Sequence, residues 1–430
     1  MENPPDGKPA GWKKKKMETR KHKQKQKTMK RKNLLQALVV SLLLPLSATA
    51  QKASIDWYGF VAAQSWINTH ESASAAEGFL YLYPTDEILD PADNHDTQAV
   101  PQASWFGTMA RLGFTLKGPE IFGAASRAKA EIEFSGHSGS GSVLYRHAFI
   151  ALDWQQSTLT LGQTWHPMND LFPSTVGIAI GSPFNPLNRS PQLRYEYFLS
   201  NEKKVKLTGA AIFQAANSSI GATGKSYNYN RNSMIPMFYA GADFTLGDFK
   251  VGAGLEYQII TPQVVTTDNN KKYYMGGLTG MLQAQYAKDK LSIKGKALLG
   301  QNMSHLGICS GFGQVANLDR IEFAPLTALS TWAQVQYGGA LKAGLMGGYM
   351  SNWGAGKDLI PGTIKAVGGG DIDNMWRISP NLQYTVGNMN LGVEYELTTV
   401  AYGLTQANGK VSNTHNVSNN RLLLSVMYAF

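Results

Sequence analysis

The chain has 430 residues, 43% apolar and only 16% charged, with a mean hydropathy of −0.23. Charged residues fall well below the roughly 25% of ordinary soluble domains. Only the leader holds a long apolar run, which excludes a helical membrane protein. The net charge of +10 lies in residues 1–50, with 13 Lys+Arg and 3 acids; the remainder holds 27 of each, so no basic body points to nucleic acid.

That basic stretch leads into a signal peptide. Lys30, Arg31 and Lys32 form a positive n-region, Leu34 to Leu46 an apolar h-region too short to cross a bilayer, and Ala48-Thr49-Ala50 a small-x-small cleavage pattern. Cleavage is expected after Ala50, leaving Gln51 first. Residues 1–28 precede Met29, a start of ordinary length, and read as a misassigned start or a leader extension. The expected organisation is a leader over 1–50 and one barrel domain over 51–430. Cys309, the only cysteine, has no internal disulfide partner.

Alternation of apolar and polar residues predicts sixteen strands, over 54–67, 103–117, 124–135, 144–154, 157–166, 192–199, 205–215, 235–246, 249–262, 275–287, 290–302, 328–338, 341–353, 373–387, 390–402 and 419–430. In 249–262, Val251, Leu255, Tyr257 and Ile259 oppose Lys250, Glu256 and Gln258. In the last strand Leu422, Leu424, Val426, Tyr428 and Phe430 oppose Arg421, Ser425 and Ala429. A soluble sandwich alternates too, so period alone does not say which face is inside.

The connections discriminate. Short ones, such as Gln155-Gln156, Gly247-Asp248, Lys288-Asp289, Gly339-Ala340 and Asn388-Met389, alternate with long ones over about 68–102, 136–143, 167–191, 216–234, 263–274, 303–327, 354–372 and 403–418. Tight turns at one end and long loops at the other define a transmembrane antiparallel up-and-down β-barrel, all-β, with both termini at the short-turn end. Trp57, Trp66, Trp154, Trp165, Tyr349, Trp376, Tyr428 and Phe430 fall near strand ends, where aromatic girdles meet the lipid interfaces.

Sixteen strands enclose more space than side chains fill, so an aqueous lumen remains. The loop 167–191 carries Pro167, Pro173, Pro183, Pro186 and Pro191 around the uncharged run Val176 to Ile180. A loop that only met water would not need such a run. It is expected to fold inward, pack on the wall and narrow the pore, with Asp170, Asn185, Asn188 and Arg189 as eyelet groups. The wall opposite would supply Arg111, Arg127, Lys129, Arg194, Lys294, Lys296 and Arg377. Arg146 and His147 are adjacent, so alternation allows only one of them inside; His147 shares parity with Asp153. A surplus of Arg and Lys at the narrowest ring favours anionic solutes.

The segments Arg111-Leu112-Gly113-Phe114, Ala130 to Phe134, Tyr145 to Phe149 and Leu161 to Trp165 resemble those of DcaP-like outer-membrane porins. Phe430 resembles the terminal insertion signal read by the barrel-assembly machinery. The resemblance implies a trimeric sixteen-stranded porin with an inward third loop, embedded in outer-membrane lipid and lipopolysaccharide of a Gram-negative-type bacterium and passing small hydrophilic solutes. The helical periplasmic extension of some members has no counterpart, because the first strand begins within a few residues of the expected cleavage site. Two rivals remain: a barrel enzyme, disfavoured because the eight His are scattered, and a closed barrel acting as adhesin or receptor through its loops. No metal cluster, cofactor motif or phosphate-binding glycine loop is expected; Gly368 to Gly370 lack the strand-turn-helix context.

Overall fold

The structure is a computed structural model that describes residues 53–136, 142–215, 217–317 and 319–430. The expected signal peptide, its expected cleavage site and most of the connection 136–143 lie outside the described residues. Sixteen strands close one antiparallel barrel in sequence order. They are β1 Ser54–Asn68, β2 Gln102–Ile121, β3 Ala124–Gly136, β4 Ser142–Asp153, β5 Ser157–Trp165, β6 Arg189–Phe198, β7 Val205–Ile212, β8 Met237–Leu246, β9 Phe249–Val265, β10 Lys271–Lys288, β11 Leu291–Gln301, β12 Thr327–Gly338, β13 Leu341–Gly354, β14 Ile372–Val386, β15 Met389–Thr405 and β16 Val411–Ala429.

Closure is made by the two ends of the chain. β1 pairs β16 from Phe60↔Ala429 to Asn68↔Arg421, and Gly59 and Phe430 exchange both backbone hydrogen bonds at 3.0 Å. Among the described residues the barrel sheet has no open edge, as hydrocarbon requires when each unpaired N–H or C=O costs several kcal/mol. The faces sort as the alternation implies. Leu255, Tyr257, Leu382, Tyr384, Leu422, Leu424 and Val426 are exposed on the outside, while Glu256, Gln258, Asn381, Arg421 and Ser425 are buried inside. An apolar exterior around a polar interior is the arrangement of a membrane-spanning barrel, not of a soluble sandwich. No helix among the described residues is long and apolar enough to cross a membrane.

Two of the long connections prove to be short. β9 and β10 pair out to Val265↔Lys271, and β15 and β16 to Thr405↔Val411. The expected loops 263–274 and 403–418 therefore shrink to 266–270 and 406–410, because both ladders run on. Trp66 and Trp165 also depart from the girdle expectation. Trp66 is buried under the Arg421 guanidinium, 4.8 Å from the ring centroid, and Trp165 faces the lumen.

The loop 69–101 was not expected to enter the barrel, and it does. Its small hairpin, Ser72–Ala75 with Leu80–Pro84, buries Phe79, Tyr81 and Tyr83. The Tyr81 ring lies 4.8 Å from Arg377 and 5.1 Å from Arg421, both on the barrel wall. Arg421 donates to the Gly78 carbonyl (3.0 Å) and Tyr402 to the Pro84 carbonyl (2.7 Å). The signal that could have revealed it is the aromatic run Phe79-Leu80-Tyr81-Leu82-Tyr83, too apolar for a loop in water.

Candidate functional site

The segment 166–188 folds into the barrel and is fastened to the wall made by β11 to β15. Lys296 Nζ donates to the Met168 carbonyl (2.6 Å), and Lys294 Nζ to the Phe172 carbonyl (3.2 Å) and Ser174 Oγ (3.1 Å). Gln334 brackets Ser174, accepting from its N–H at 2.7 Å and donating to its carbonyl at 2.8 Å. One oxygen of Glu394 accepts the consecutive N–H groups of Val176 (2.8 Å) and Gly177 (2.7 Å). Arg377 donates to the Ser182 carbonyl (3.1 Å), Ser330 to that of Phe184 (2.9 Å), and Trp332 Nε1 to Asn185 Oδ1 (2.9 Å).

Apolar contacts complete the seat. A Cβ at Gly348 would lie 2.4 Å from the Phe184 ring, and one at Gly392 2.8 Å from Val176. These two glycines leave the dents into which the loop side chains fit.

The opposite wall, β2 to β6, stays open to a cavity of about 690 Å³. Arg111, Arg127, Lys129, Arg146 and Arg189 line it with the carboxylates of Glu131 and Glu133. Arg111 pairs with Glu133, and Arg127 Nε lies 2.6 Å from Asp153 Oδ2. Arg146 reaches Glu131 (2.6 Å) and Glu133 (3.0 Å). Three of these cations keep substantial exposure: Arg111 at 24%, Arg127 at 34% and Lys129 at 29% of the side chain. Arg189 lies 4.4 Å and Arg146 5.6 Å from the Trp165 ring centroid, distances at which cation–π attraction holds a guanidinium in place. The loop meets this wall through Phe172, whose ring is 5.0 Å from Trp165.

The candidate residues thus divide. Arg111, Arg127, Lys129, Arg146, His147 and Arg189 come together around the cavity. Arg189 does so from β6, not from the loop. Lys294, Lys296 and Arg377 lie beneath the loop; Lys296 and Arg377 are each only 2% exposed. Asp170 turns away from this cavity, toward Gln283 (3.0 Å) and Lys296 (3.8 Å). Asn185 is buried against Trp332, Asn188 is buried, and Arg194 sits 3.7 Å from Glu196 on its own strand.

The choice between Arg146 and His147 is resolved by a β-bulge. The β3–β4 register passes from Glu131↔His147 to Ile132↔Tyr145, so Arg146 is the extra residue and both side chains face inward. A bulge leaves no mark in an alternation pattern. Glu131 and Glu133 are further lumen groups that a search for cations passed over.

Two histidines far apart in sequence also meet. His166 Nε2 lies 2.7 Å and His305 Nε2 2.8 Å from the two oxygens of Glu256, all three fully buried. These donors are close enough together to hold a cation. The protonation pattern favours a tether instead: His166 Nδ1 accepts the Met168 N–H (3.2 Å), which leaves the proton on the nitrogen facing Glu256. The tether joins the inward loop to the segment 302–326, which also receives Leu187 N–H at the Leu306 carbonyl (2.8 Å).

A closed barrel of sixteen strands with an inward loop is a porin-type fold. The outer membrane channel DcaP of Acinetobacter baumannii is similar over 90% of this chain and 100% of its own, at 19% identity and a TM-score of 0.65. OmpF of Salmonella typhi, solved in complex with daunomycin, is similar over 87% of this chain and 97% of its own (12% identity, TM-score 0.53). An anion-selective porin from Comamonas acidovorans covers 88% of this chain and 100% of its own (12% identity, TM-score 0.52). No protein-family model and no curated protein matches. The resemblance to DcaP-like porins is therefore borne out at the level of fold.

Proposed function

We propose that the protein is an outer-membrane diffusion channel of a Gram-negative-type bacterium, exported by its leader, that passes small hydrophilic solutes and favours anions. The observation that carries this reading is the cavity between the β2–β6 wall and the inward loop, where five cations stand against the carboxylates of Glu131 and Glu133, with Asp153 behind Arg127. Excess fixed positive charge in a confined aqueous path raises the local concentration of anions. Loops 69–101 and 166–188 narrow the path. The channel reading assigns the protein no reaction and no cofactor.

Trimeric assembly, surrounding lipopolysaccharide and delivery by the barrel-assembly machinery through Phe430 belong to the same reading. A potassium chloride gradient across a planar bilayer tests it. The reversal potential should take the sign of a chloride-preferring pore; a potassium-preferring pore contradicts the selectivity. The amount of barrel interior filled by loops favours one second reading, a closed receptor, and liposomes that fail to swell in small sugars would support it.

A further inference from the structure

The two sides of the cavity differ in kind. One carries a cationic excess and an aromatic ring: Arg111, Arg127, Lys129, Arg146 and Arg189 around Glu131 and Glu133, with Trp165. The other, contributed by the loop, is uncharged and mostly apolar: Phe172, Ile178 and Ile180, half-buried and lining the same cavity, with the Thr175 hydroxyl donating to the Gly177 carbonyl (3.1 Å). No acidic side chain of the loop faces the cations, since Asp170 points elsewhere. The loop's own polar backbone groups at Ser174, Val176 and Gly177 are occupied by Gln334 and Glu394 on the wall behind it. That side therefore offers a passing solute contact surface and few hydrogen bonds.

Resting on the channel reading above, we infer that this slot selects, among anions, for organic monoanions that carry an apolar body. The anionic group lies against Arg111, Arg127 and Lys129, and the body lies along Ile178 and Ile180. A hydroxylated anion of the same charge must shed water from its hydroxyls against a surface that returns few hydrogen bonds, and it loses the contact besides. An inorganic anion gains only from the cations.

Cyclohexanecarboxylate and quinate share a ring and a charge and differ in hydroxyl groups, which makes them the probe pair. Their permeabilities relative to chloride come from bi-ionic reversal potentials with their potassium salts on the full-length channel. Cyclohexanecarboxylate should exceed quinate by roughly fivefold, the factor expected when some tens of Å² of apolar surface leave water. The double variant Ile178→Ser, Ile180→Ser should bring the ratio down toward that of free diffusion. Equal permeabilities in the unaltered channel, or a ratio that the double variant leaves in place, overturn the inference while chloride preference stands. A channel that prefers potassium overturns the anion reading and this inference together.

Discussion

The two walls of the lumen are built from the same residue types and use them oppositely. On β11 to β15, Lys294, Lys296, Arg377 and Glu394 are spent on the backbone of an inward loop and lie under it. On β2 to β6, Arg111, Arg127 and Lys129 keep part of their surface free beside a cavity. A lumenal charge is therefore not a pore charge until its partners are known. A covered cation holds structure; an open one shapes the field that a solute meets.

The sharpest way to break that contrast is Arg377→Ala. It removes the donor to the Ser182 and Leu82 carbonyls and one of the two guanidiniums beside Glu396. Stripping a partner from a buried charge costs about 3–5 kcal/mol, so the unfolding temperature, read by heat-modified migration on a gel, should fall markedly. Single-channel current should also become larger and noisier as both loops loosen. An unchanged unfolding temperature would show that the covered cations are not holding the loops.

The triple variant Arg111→Gln, Arg127→Gln, Lys129→Gln should do the reverse. Chloride preference should collapse or invert in the reversal potential. Arg146 stays beside Glu131 and Glu133, and the three side chains replaced are more exposed than Arg377, so stability should change less than in Arg377→Ala.

Lys296→Met is smaller again. It deletes a buried charged donor to the Met168 carbonyl, a loss of about 1.5–3 kcal/mol in unfolding free energy. Its ion selectivity should stay close to that of the unaltered channel.

The smallest effect should be seen at Cys309. Burial pushes its thiol up to about 12, so near pH 8 only on the order of one molecule in ten thousand is thiolate, the form that reacts. Maleimide should leave the folded protein unlabelled at pH 8 and label it after unfolding; prompt labelling of the folded form would place the segment 302–326 in water.

This contrast also marks where reading the chain stopped. Alternation located all sixteen strands and put Glu256, Arg377 and Arg421 on the inner face, because a period of two is a local property of the backbone. The apolar run Val176 to Ile180 was enough to send the loop inward. What holds it there was not legible: Ser174 meets Gln334 and Val176 meets Glu394 across more than a hundred residues, and no local pattern encodes such a pairing. For the same reason Lys296 and Arg377 read as pore charges until the loop was seen lying on them. Arg146 was obscured by a bulge, and Asp170 by a loop path that turns its carboxylate away from the cavity.

The central claim is that current flows between the β2–β6 wall and the inward loop. Thr115 lines that space, whereas Ser330, under the loop, donates to the Phe184 carbonyl. The most direct test is a negatively charged methanethiosulfonate reagent applied to single channels carrying Thr115→Cys or Ser330→Cys, with the unaltered channel as reference. Thr115→Cys should lose current in discrete steps, while Ser330→Cys and the unaltered channel should not respond. A Thr115→Cys channel that conducts undisturbed after the reagent has demonstrably attached would contradict the account.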